Sequence, residues 1–259
     1  MSTVVACFKW VLDEGDISVH DDGTVDFSRA RGKISDYDRQ AIQAAVDAAA
    51  VMDAKPVGLT VVASRSKSAA TTAAKEALVR GLAECYAASA PEGIEPGSRA
   101  IAKGLTVGLD AIDDIALVVC GSGSSDLFAR QIAPRIAAAK GWPVVTAVSS
   151  FKVDGRELVC RRTLEHVVES VRVTLPAVIT VLPSINQPRL PGMRAILEAK
   201  KRPIHEFSCD AELAADGRSA ILVERRGYVA HRKNNLLKDG TPDEAAAFLM
   251  DAMRKEGVL

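Results

Sequence analysis

The residues best suited to chemistry stand together at Gly121, Ser122, Gly123, Ser124, Ser125 and Asp126, directly behind the apolar run 115–120. Two glycines let a ligand approach the backbone, three hydroxyls add donors and acceptors, and a helical pattern begins at once. Loops of this kind bind phosphate at a helix N-terminus, where the first N–H groups are unpaired and carry the positive end of the dipole. Asp126 stands where a dinucleotide fingerprint has its third glycine, so the motif alone names no nucleotide. A plain strand-to-helix turn capped by Ser125 or Asp126 explains the same residues. Other constellations are poorer. Cys7, Cys85, Cys120, Cys160 and Cys209 contain no C-x-x-C, and the four histidines show no ligand spacing, so no metal site is expected. Arg161, Arg162, Glu165, Glu169 and Arg172 read as a solvated hairpin face or a subunit contact, and the basic residues at 200–202, 225–226 and 232–233 as a helix end and a surface tail. No nucleophile triad and no paired carboxylates of a hydrolase are present.

These residues need elements to place them. Phe128, Ile132 and Ile136, with Ala129 and Ala133, share one face of a helix, and a second apolar strand follows Pro143, giving a β-loop-α-β unit. Upstream, strands are expected at 3–9, 58–63 and 84–88, and helices from Ser35, Asp36, Tyr37 and Asp38, over 68–80 and over 98–112. Alternation of this kind implies a parallel sheet covered on both faces, with its ligand crevice at the carboxyl ends of the strands. Cys7, Ala63 and Cys120 end predicted strands and so face that crevice, the cysteines as small buried hydrophobes. After residue 148 the pattern changes to extended runs around Asp154 and Gly155, a hairpin signal. The stretch from Ser184 to Gly192 holds two prolines and a glycine and forbids regular structure, and a short helix with a basic end follows at 193–201. Thr241, Pro242, Asp243 and Glu244 form a capping box that opens a closing helix faced by Ala245, Phe248, Leu249 and Ala252.

A chain of 259 residues, 48% apolar and only 4% aromatic, suits alanine-rich helices packed closely on a sheet. Thirty-three basic and thirty-three acidic residues cancel, which removes the electrostatic case for a nucleic-acid binder. No signal peptide or spanning segment is read, so a cytoplasmic protein without membrane insertion is expected.

Leu175-Pro-Ala-Val-Ile-Thr180, Asn186-Gln-Pro188-Arg189 and Ile196-Leu-Glu-Ala-Lys-Lys201 resemble the signature of electron transfer flavoprotein beta subunits. CFKWVLDEGDISV, KISDYD and GSGSSDLFARQ are similar to the Fix-type members, and the likeness covers the chain, loosening after about residue 205. It implies an adenine nucleotide α-hydrolase-like α/β fold over 1–204, with a C-terminal arm and helix at 205–259 contacting an alpha subunit. That subunit would hold the electron-carrying FAD, while the beta chain buries AMP or a second FAD. Carried over by position, the nucleotide contacts fall on Cys7, on Ser35, Asp36, Tyr37 and Asp38, on Ala63, and on Gly121 through Asp126, with Arg130, Gln131 and Ile132. Members that hold AMP usually show polar residues where this chain has Phe128, Arg130 and Ile132, and Arg130 stands as a substitute phosphate partner. Asn186, Pro188, Arg189 and an anchor at Met193 correspond to the loop that docks an acyl-CoA-type dehydrogenase or a quinone reductase. The implied role is an electron-carrier subunit with no catalytic residues of its own. A stand-alone adenine-nucleotide sensor of the stress-protein type is the alternative, and it leaves 150–205 without a purpose. A nicotinamide dehydrogenase lacks the third glycine and a catalytic acid.

Overall fold

The structure, a computed structural model, describes residues 1–63, 68–91, 95–215, 223–229, 233–237 and 239–259. Thr3–Cys7 (β1) is buried at every position, as an apolar strand must be when both faces of its sheet are covered. Four short strands follow, Trp10–Leu12 (β2), Ser18–Val19 (β3), Val25–Asp26 (β4) and Gly32–Ile34 (β5); β2 pairs with β5 and β3 with β4. Strand and helix then alternate through Asp36–Met52 (α1), Lys55–Val62 (β6), Ala69–Leu78 (α2), Glu84–Ser89 (β7), Ser98–Asp110 (α3) and Ile115–Gly121 (β8). Ile132–Lys140 (α4) leads into Val144–Asp154 (β9), Glu157–Thr163 (β10), Val168–Thr174 (β11) and Ala177–Val181 (β12). Met193–Ala199 (α5), Ile204–Glu206 (β13), Asp210–Ala215 (α6) and Pro242–Lys255 (α7) complete the described elements.

Among the described residues nine strands form one sheet in the order β11-β10-β9-β12-β8-β1-β6-β7-β13. From β9 to β13 every neighbouring pair is parallel, and β10 runs antiparallel to both β9 and β11. The expected α/β fold is therefore present, with an antiparallel hairpin added at one edge. Side chains alternate between the faces. Val4, Ala6, Leu117, Val119 and Ile179 pack under α1 and α2, while Val5, Cys7, Val118, Cys120 and Val178 pack under α3, α4 and α6. The covering faces are mostly alanine, with Ala41, Ala44, Ala45, Ala48 and Ala49 on α1 and Ala69, Ala70, Ala73, Ala74 and Ala77 on α2.

Chain order places the site. From β1 the chain lays β6 and β7 to one side, then returns to set β8 against the other side of β1. The order reverses between β1 and β8, and ligands of open α/β sheets bind at that point, outside the carboxyl ends of the strands.

Contacts divide the chain into a larger unit, Met1–Ile17 with Phe27–Val223, and a smaller one, Ser18–Asp26 with Glu224–Leu259. β13 and α6, which the sequence reading assigned to the C-terminal arm, lie in the larger unit because β13 pairs with β7 and α6 packs on α3. In the smaller unit α7 has the expected capping box, Thr241 Oγ1 accepting from the Glu244 N–H and the Glu244 carboxylate accepting from the Thr241 N–H. None of its residues is buried. Of the tail cations, Arg232 lies outside the described residues. Among the described residues no helix is long and apolar enough to cross a membrane.

Candidate functional site

β1 and β8 end side by side at Cys7 and Gly121, and α1 begins opposite them. Asp38, in the first turn of α1, ties the two ends together. Its Oδ2 accepts the Lys9 N–H at 2.9 Å and its Oδ1 accepts the Gly121 N–H at 3.2 Å. Gly121 must be glycine, since a Cβ there would strike Asp38 Oδ1 and the Tyr37 backbone. Asp38 is buried, and loss of water outweighs both N–H donors, lifting its carboxyl to about 7. Ser35, the N-cap residue of α1, does not cap its own helix; its Oγ accepts the Ser125 N–H at 3.3 Å and pins the loop. Lys9 closes the rim through an ion pair of 2.6 Å with Asp126. Burial raises the Asp126 carboxyl, but the Lys9 ammonium and the Ser124 hydroxyl outweigh it and hold the group below its ordinary value.

One sequence expectation needs correction. The helix after the loop begins at Ile132, not at Ser125 or Asp126, and its N-cap is Gln131. Residues 127–131 are kept out of the helix by positive φ at Phe128 (49°) and Arg130 (56°), a conformation costly for non-glycine residues. Phe128 therefore leaves the predicted helical face that Ala133 and Ile136 keep. Its ring lies instead on Gly123, where an added Cβ would collide with it, and packs 5.2 Å from the Tyr37 ring. The Arg130 guanidinium sits 4.1 Å from the Phe128 centroid. Arg130 thus stacks on an aromatic face.

The structure brings Cys7, Ser35, Tyr37, Asp38 and the loop Gly121, Ser122, Gly123, Ser124, Ser125 and Asp126 to one crevice. Cys7 and Cys120 are buried beneath it, and the Cys7 sulfur beside Cys120, with burial, pushes the Cys120 thiol well above its ordinary value, so Cys120 is not an activated nucleophile. Other expected contacts turn elsewhere. Asp36 pairs with Lys33 and Arg39, and Gln131 with Arg135; Ala63 lies exposed just beyond β6. Ile132 opens α4. Sequence reasoning missed Lys9, since a lysine two residues past a strand carries no signal of its own, and it marked Phe128 only as a helical-face residue and a departure from the members that hold AMP.

The loop's hydrogen bonds show what it can offer. The Gly121, Ser122, Ser125 and Leu127 N–H groups are taken by Asp38, the Val181 carbonyl, Ser35 and Asp126. Among the described residues that leaves the N–H groups of Gly123, Ser124 and Asp126, on a loop whose Asp126 carboxylate is paired with the Lys9 ammonium. Backbone donors on a glycine-lined surface beside a cation fit a phosphate group.

A second patch hangs from the same helix. Asn186 Nδ2 donates to the Gln40 carbonyl at 3.0 Å, and the Arg189 N–H donates to Gln43 Oε1 at 3.2 Å, so residues 186–189 are strapped along α1. Pro188 is half-buried within the strap. Beyond it Leu190 is 92% exposed and Met193 75%, with Leu197 exposed on the following helix. Leu190 was not singled out from the sequence, and its exposure exceeds that of Met193.

Among the described residues no three His, Cys, Asp or Glu side chains gather as metal ligands. The model of the electron transfer flavoprotein domain matches residues 22–212, a span that includes α1, the loop and the strap. That match covers well over half of the chain, which therefore belongs to the electron transfer flavoprotein domain family.

Proposed function

We propose that the chain is a beta-type subunit, of the Fix-type, in a heterodimeric electron transfer flavoprotein. The observation that carries the reading is one helix, α1, holding two surfaces. Its first turn fixes the loop at 121–126 through Ser35 and Asp38, and its second and third turns fix the strap through Gln40 and Gln43. On this reading the loop holds the phosphate of an adenine nucleotide, AMP or a second FAD, on the N–H groups of Gly123, Ser124 and Asp126. The strap presents Leu190 and Met193 to a dehydrogenase or a quinone reductase.

The family is flavin-associated, and the working flavin would be the alpha subunit's, supplying the two-electron chemistry when bound. This chain's residues bind and orient. Lys9 supplies positive charge at the loop rim, Asp38 fixes the distance between the two strand ends, and the strap sets which partner approaches. No proton transfer is required of them, so the chain is a carrier subunit rather than an enzyme.

Co-expression with a candidate alpha subunit tests the reading. The expected result is a stable heterodimer with a flavin spectrum, from which acid extraction releases flavin and adenine nucleotide. A monodisperse, nucleotide-free monomer that ignores the alpha subunit in light scattering would overturn it.

A further inference from the structure

Phe128 is the least expected residue of the site, and three observations converge on it. Its ring lies on Gly123, one of the two glycines of the loop, where an added Cβ would collide with it. The Gly123 N–H is one of the three loop donors left for a ligand among the described residues. The ring is held from two sides, by Tyr37 at 5.2 Å and by the Arg130 guanidinium at 4.1 Å. Both Phe128 and Arg130 adopt φ near +50°, which side chains of this size take only when neighbours compel them. The arrangement is therefore an ordered, tertiary-held cover and not a loose side chain.

We infer that Phe128 is a built-in competitor of the ligand, a gate whose ring must leave Gly123 before a phosphate can reach the loop. The inference rests on the loop being a phosphate site. Its physical basis is mass action: a ligand that binds only the open loop pays for the fraction of molecules that are closed, so its apparent affinity falls by that fraction. Opening needs no change in the sheet. Phe128, Ala129 and Arg130 are exposed, and the loop is fixed separately from them, by Asp38 on Gly121 and Ser35 on Ser125. A stacking platform is the opposite reading of the same ring, and it predicts the opposite sign.

The test compares the wild-type complex, stripped of nucleotide, with Phe128→Ala and Phe128→Tyr. Hydrogen exchange read at the Gly123 and Ser124 amides should quicken in Phe128→Ala and stay slow in Phe128→Tyr, which keeps a covering ring. Calorimetric titration should show AMP and inorganic phosphate binding about fivefold more tightly to Phe128→Ala than to wild type, with Phe128→Tyr near wild type. Weaker AMP binding by Phe128→Ala would make Phe128 a stacking platform and overturn the gate. Unchanged affinity, or unchanged amide exchange, would overturn it as well. Failure of wild type and all variants to bind AMP, FAD or phosphate would instead overturn the phosphate reading of the loop, and the gate with it.

Discussion

Asp38 is a carboxyl group asked to do two things at once. It accepts two backbone N–H groups, which favours the anion, while lying out of reach of water, which favours the acid. Burial wins, and the group titrates near 7 rather than at its ordinary 3.8. The sign follows. A carboxyl whose pKa is raised by folding binds its proton more tightly in the folded state. Its contribution to stability is thus complete below about pH 4 and is lost as pH rises through 7. The Lys9 ammonium opposes that shift, and the Asp126 carboxylate and buried Cys120 lie in the same electrostatic neighbourhood. Asp38→Asn removes the titration and places an amide against one of the two N–H donors, which costs about 1–3 kcal/mol. Denaturant melts should show the stability margin of wild type over Asp38→Asn shrinking between pH 4 and pH 8. A margin that grows over that range would show an anion stabilised by its donors.

At the scale of elements, α1 is the common support of loop and strap, and the exposed end of the strap can be tested on its own. Met193 is 75% exposed at the start of α5, so Met193→Ala removes little packing and should alter thermal stability by no more than about 0.5 kcal/mol. If the strap docks a redox partner, the same change should weaken that complex by about 2 kcal/mol, read as a rise in Kd in surface-binding measurements. Equal affinity of Met193→Ala and wild type would move the anchor to Leu190 or remove it altogether. The strand ends and most helices were legible in the sequence, because apolar periodicity and turn residues report directly on them. The start of α4 was not. Phe128, Ile132 and Ile136 keep helical spacing, yet Tyr37 and Arg130, from different parts of the chain, hold Phe128 in a conformation that its residue type disfavours. Ser35 shows the same dependence on distant residues. The helix begins directly after it, as its place in the sequence implied, but its hydroxyl serves Ser125, ninety residues away in sequence. Local propensity reports local structure, and the crevice is assembled from distant segments.

For the molecule as a whole, strand order alone brings β1 and β8 together where the chain reverses, and Asp38 joins their ends there. The helices that cover the sheet on one side are lined with alanine, including Ala45 and Ala73, each wholly inaccessible. Such an interface has an unusual asymmetry toward mutation. An ordinary core fails by subtraction, since trimming a leucine leaves a hole. Here the wall of the helix is already at its thinnest, and there is almost nothing to trim. Ala45→Gly forfeits about 1 kcal/mol of helix propensity and one methyl. Ala45→Leu must push α1 off the strands beneath it and costs about 1–3 kcal/mol or more in overpacking. The leucine variant should therefore unfold at lower denaturant than the glycine variant, the reverse of the usual ranking by hydrophobicity. Because α1 also carries Asp38 and Gln43, a helix pried outward would loosen loop and strap together. In this protein the tolerance for added bulk, measured in single methyl groups, sets how far the sequence can drift before both surfaces lose their shape.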